Sequence, residues 1–159
     1  MHAFTDSAGR EWNIALNINA IRRIRDGVKT RDGSTVDLLA PQLAEVIRSL
    51  TLDTISLCDC VYLAVQPEAE KRGISSEQFG EALCGDAIAD ATQAFLGALT
   101  DFTPSPRDRA RVARVMKALD ETVNLAHDEA DAKVDQLISG LKSGALPDTS
   151  DTAPAQSAT

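Results

Sequence analysis

Aromatic residues are scarce in this chain: they make up 4% of its 159 residues, with one tryptophan, one tyrosine and four phenylalanines. A core must therefore be built mostly from Leu, Ile, Val and Ala, which favours packed helices over a β-sandwich. Histidine is scarcer still. His2 and His127 are the only two, which leaves nucleophilic triads and histidine-rich metal centres almost without material. Cys58, Cys60 and Cys84 form an odd set without an export signal, so reduced thiols acting as small buried hydrophobes are expected rather than a disulfide framework. No segment approaches the roughly 20 apolar residues that span a bilayer, and Met1-His2-Ala3-Phe4 does not begin a basic region followed by an apolar run. A cytoplasmic location is the expectation. Positive charge is not in excess either, since the formal net charge is −8, which argues against a general affinity for nucleic acid or anionic membrane.

The length suits one compact domain with an appendage, because two domains would each have a marginal core. Phe4 and Thr5 lead into the turn-forming Asp6-Ser7-Ala8-Gly9, and Trp12, Ile14 and Leu16 then alternate with polar or small residues, which predicts a β-hairpin. Asn19 is the expected N-cap of a short helix ended by Gly27. A second short hairpin is expected where Val28-Lys29-Thr30 and Thr35-Val36-Asp37-Leu38 flank Asp32-Gly33. Pro41 suits the first turn of a helix to about Leu50, and Asp53 caps a second, central and buried helix carrying Leu57, Val61 and Val65, interrupted by Pro67 and Gly73. Ser75 to Gln78 has capping-box spacing, and Ile88, Ala91, Phe95 and Leu99 mark a further helix ending before Pro104. Ser105-Pro106 then opens a stretch without Pro or Gly until Gly140, roughly 50 Å of helix. Residues 143–159 are small and polar and predict a disordered tail. No repeat at solenoid-like spacing is present. The expected fold is mainly α (α+β): hairpins and a compact helical core over 1–104, a long amphipathic helix over 105–142, and the tail.

Candidate chemistry is sparse. Cys58 and Cys60 would point about 200° apart on a helix and cannot share an ion. Asp59 interrupts an apolar helix and, if buried, needs donors, for which an arginine near position 23 is the natural structural partner. Asp86 and Asp90 share a helix face, yet no Glu or His pattern completes a carboxylate site, so solvated acids near a helix start explain them. No glycine-rich phosphate loop or dinucleotide fingerprint occurs. Neither a catalytic residue nor a cofactor or metal site is expected.

The long helix carries more information. Arg107, Arg109, Arg111, Arg114 and Lys117 crowd its start, whereas Asp120, Glu121, Asp128, Glu129, Asp131 and Asp135 dominate later turns, the reverse of what the helix dipole prefers. Solubilising charge is one explanation and orientation of a partner the other. An apolar stripe runs through Val112, Val115, Leu119, Val123, Ala126, Ala130, Val134, Leu137 and Leu141 with an eleven-residue repeat, which fits a nearly straight helix rather than a heptad supercoil. Its first half could pack on the domain. The expected partner-binding set is Val112, Val115, Leu119, Val123, Val134, Leu137 and Leu141 with Arg107, Arg109, Arg111 and Arg114.

Phe4-Thr5-Asp6 with Gly9-Arg10 and Trp12, Val36-Asp37-Leu38-Leu39, Leu57-Cys58-Asp59, Pro67-Glu68-Ala69-Glu70, Gly73-Ile74-Ser75 with Phe79, Gly85-Asp86, and Asp101-Phe102 before Pro104 form one set over roughly residues 3 to 110. In these the chain resembles the small tail assembly chaperones of bacteriophages and prophages. The resemblance implies a non-enzymatic protein of the host bacterial cytoplasm, without a cofactor. It would bind the long, hydrophobic, helical tape-measure protein, or another tail protein, and keep it soluble during assembly. Two other classes stay open: a structural tail or head-completion component of a phage-like particle, and a DNA-binding regulator using the basic helix start. A homo-oligomer through the long helix is a further expectation.

Overall fold

The computed structural model describes residues 2–142. The chain divides into two units, Met1–Leu119 and Asp120–Thr159. The fold is mainly helical with one N-terminal two-stranded hairpin: β1 (His2–Thr5), β2 (Glu11–Ile14), α1 (Ile18–Gly27), α2 (Leu43–Leu52), α3 (Thr54–Arg72), α4 (Ser76–Ala82), α5 (Asp86–Phe102) and α6 (Pro106–Lys142). The expected tail over 143–159 lies outside the described residues.

The strands pair antiparallel with Phe4 opposite Trp12, and the alternation read from the sequence puts Trp12 and Ile14 into the core. Asp6 fixes the turn between them. Its Oδ1 accepts the backbone N–H groups of Ala8 (3.0 Å) and Arg10 (2.9 Å), and its Oδ2 accepts Arg10 Nε (2.7 Å) and Trp12 Nε1 (2.8 Å). Burial would raise the pKa of this carboxyl, but the hydrogen bonds from Trp12 and Arg10 and the Arg10 charge outweigh it and hold the group below its ordinary value. Phe79 of α4 meets Trp12 edge-on with ring centroids 5.1 Å apart, and the Arg72 guanidinium lies 4.7 Å above the indole. The hairpin is thereby clamped against α3 and α4. Its first strand packs on α5, where His2 Nε2 is 2.8 Å from Asp101 Oδ2 and the imidazole lies over Gly97. A Cβ at Gly97 would come within 2.5 Å of the ring.

α3 is the central element, packing against α1, α2, α4, α5 and β2. Its start is capped by Asp53, as the sequence indicates, and its end by Gly73 in the left-handed region (φ 67°). Four readings change. Pro67 does not interrupt α3 but lies inside it; the carbonyl of Leu63, to which residue 67 cannot donate, accepts Arg23 Nε at 3.0 Å. Arg23 is thus committed to that carbonyl, and Asp59 is exposed rather than buried and in need of a partner. The second hairpin reduces to one bridge between Lys29 and Thr35, because Val36 and Leu38 turn into the core and Asp37 Oδ1 captures the Leu39 N–H, ending the extended run. Helix starts also shift: Asn17, not Asn19, caps α1, and Pro41 sits in the turn before α2, which begins at Leu43.

The capping box of Ser75 and Gln78 is complete, and α5 ends before Pro104 as its sequence requires. α6 opens at Pro106, with Ser105 Oγ accepting the Asp108 N–H at 3.4 Å.

Candidate protein-binding surface

In the first turns of α6 the stripe is core. Val112 is 2% exposed, Val115 and Met116 are half-buried against the same cluster, and Thr100 Oγ1 approaches Met116 Sδ at 3.4 Å. These positions therefore hold the first unit together and are not a free docking face. Leu119 and Val123 have side chains outside the described residues. Arg107, Arg109, Arg111 and Arg114 are all exposed. At 3.6 residues per turn, Arg107 and Arg114 lie on the side away from Val112, about 20° apart, and Arg111 sits on its flank, about 100° from Val112. Arg111 approaches Asp108 at 3.8 Å, and Arg114 Nε donates to the Ala110 carbonyl at 3.3 Å. Arg109 lies off that ridge, where its charge helps hold the Asp101 carboxyl below its ordinary value, behind the hydrogen bond from His2.

In the later turns the stripe is open. Val134 is 51% exposed, Leu137 68%, Ile138 42% and Leu141 74%. With Ala130, also exposed, these side chains occupy an arc of about 100°. The sequence reading placed Val134, Leu137 and Leu141 here but missed Ile138, which the eleven-residue repeat skips and the four-residue step from Val134 finds. Leu125 is exposed too, but on the opposite face, about 180° from Val134.

A cleft of about 560 Å³ is lined by Thr30, Arg31, Asp32, Glu45, Arg48, Ser49, Leu52 and Asp53. Its two aspartates are already engaged: Thr30 holds Asp32, and Ser56 holds Asp53 in its capping role, and these hydroxyl contacts are the main reason both carboxyls sit below their ordinary value. Such groups are poor proton donors near neutrality. Burial, then the charge of Asp59, pushes the Cys58 thiol up, and the same causes push Cys60 up to about 12. Both thiols therefore stay protonated and weakly nucleophilic. Cys84 is exposed. Among the described residues no group of three or more His, Cys, Asp or Glu side chains is arranged to hold a metal ion.

The chain matches no family model, no curated protein and no solved structure. Among the described residues no helix is long and apolar enough to cross a membrane.

Proposed function

We propose that this protein is a non-enzymatic binding protein of the bacterial cytoplasm, similar to phage tail assembly chaperones, that holds a tape-measure protein or another tail component through the later turns of α6. The observation that supports this most is the apolar arc of Val134, Leu137, Ile138 and Leu141, open along one side of a helix. Large apolar side chains gathered on one exposed face mark interaction sites far more often than isolated ones do. An amphipathic helix laid against a second helix is the binding mode such an arc serves.

The magnitudes suit a reversible grip. Burying what remains exposed of these four side chains yields roughly 4–7 kcal/mol gross, against about 4–15 kcal/mol of lost translational and rotational freedom. The arc alone therefore supports weak, exchangeable contacts, as a chaperone requires. A permanent tail or head-completion component would use the same surface, and a DNA-binding regulator would use Arg107, Arg111 and Arg114 instead; the net charge of −8 counts against the latter.

Coexpression with tape-measure fragments tests the proposal. A soluble complex that is lost when Val134 and Leu137 are both changed to Asp is the expected outcome. Fragments that stay insoluble with the wild-type chain would count against it, and recovery of the chain from purified particles would favour the structural alternative.

A further inference from the structure

We infer, building on the binding role proposed above, that the occupant of the α6 arc is an amphipathic helix with a basic flank, and not a second copy of this chain. Around the helix axis, with Val134 as the origin, Leu137, Leu141 and Ile138 fall within about 60° on either side. Asp131, Asp135 and Asp128 follow at about 60°, 100° and 120° on one flank only. All three aspartates are exposed. The other flank carries Lys133, with Glu129 further round. Over 128–135 the acidic flank thus holds three exposed aspartates.

A second copy fits this pattern poorly in either direction. In an antiparallel pair related by a twofold axis each flank faces its own counterpart, so the two acidic ridges would lie side by side. In a parallel pair the acidic ridge would face Lys133 and Glu129, whose charges cancel, and nothing is gained. The basic residues at the start of α6 accompany a stripe already buried through Val112 and do not compensate. A partner helix with Lys or Arg beside its own apolar face gains on every turn. Its charges would also set its direction and speed its approach.

The test uses the full chain and two synthetic amphipathic peptides with one shared leucine stripe, one flanked by lysine and the other by glutamate, with binding followed by fluorescence anisotropy. The lysine peptide is expected to bind about tenfold or more tightly at low salt, with the gap closing as salt is raised. Joint Asp128→Lys, Asp131→Lys and Asp135→Lys substitution is expected to reverse the preference. Equal binding of both peptides overturns the charge inference while leaving the apolar face as a docking site. Binding of neither overturns both. Self-association of the chain in sedimentation runs, abolished by Val134→Asp, would identify the second copy as occupant and overturn the inference.

Discussion

Arg23 on α1 completes the helix that Pro67 leaves incomplete on α3: its Nε donates at 3.0 Å to the Leu63 carbonyl, the acceptor that a residue 67 amide would have served. An interior proline is thus tolerated because a neighbouring element supplies the missing donor. Arg23→Ala should cost about 1.5–2 kcal/mol, as for a hydrogen bond from a charged donor. In a Pro67→Ala background the same change should cost much less, because the restored amide takes the carbonyl. Urea unfolding of the four chains in a double-mutant cycle measures this. Strict additivity would sink the proposed coupling.

Asp6 sets a pH dependence. Its folded pKa is lowered below the ordinary 3.8, so around that pH the carboxyl binds fewer protons in the folded chain than in the unfolded one. The stabilisation is fully present above the unfolded value and is lost as pH falls through the lower, folded value. Asp6→Asn should cost about 3 kcal/mol near neutral pH, since it removes a buried charge that Arg10 and Trp12 are arranged to meet. It should also flatten the acid limb of stability without abolishing it, because Asp32, Asp53 and Asp101 are shifted in the same direction. Melting curves collected across acid pH check both statements. An unchanged acid limb in Asp6→Asn would assign that limb to Asp32, Asp53 and Asp101 alone.

What could be read from the sequence follows what is local. The Ser75–Gln78 capping box, the Gly73 terminus and the Pro106 start depend on contacts within a few residues, and all three form as their spacing implies. The hairpin around Asp6 was legible by its alternation, yet the Asp6 carboxylate looked like one more turn residue. Its burial depends on Trp12 Nε1 six residues away. Pro67 and Asp59 were misread for a related reason: the Arg23 donor comes from 44 residues before the proline, and Asp59's exposure depends on which side of α3 faces its neighbours. On α6 the periodicity of the stripe was visible, but periodicity does not say which turns the core covers. Val112 and Val134 are equivalent in the repeat and opposite in burial.

Thiol reactivity separates the cysteines. Cys60 is buried with its pKa raised to about 12, and the Cys58 thiol is raised as well, whereas Cys84 is exposed. Alkylation of the native protein at neutral pH should label Cys84 first and leave Cys60 unmodified until unfolding. Peptide mapping by mass spectrometry reads the order. Early labelling of Cys60 would mean that α3 opens far more readily than its central packing allows.

The contrast between Val112 and Val134 gives the sharpest discrimination. Both are valines at matching positions of one repeat on one helix, so helix propensity and the chemistry of substitution are held constant. Val112→Asp places a carboxylate where 2% of the side chain is exposed, and should destabilise the chain by about 3–5 kcal/mol as an unpaired buried charge. Val134→Asp changes a residue that is 51% exposed, and should alter thermal stability by less than about 0.5 kcal/mol. Its effect should appear in association instead: the valine is buried only when the partner helix docks, so a carboxylate there should weaken binding by about 2 kcal/mol, roughly thirtyfold. Thermal melts of the two variants, paired with titration of the lysine-flanked peptide, measure both quantities on the same samples. If Val134→Asp melts like Val112→Asp, the later turns are covered within the chain itself and the docking surface does not exist. If it melts like wild type and still binds the peptide unchanged, the arc is solvated surface and the contact lies elsewhere.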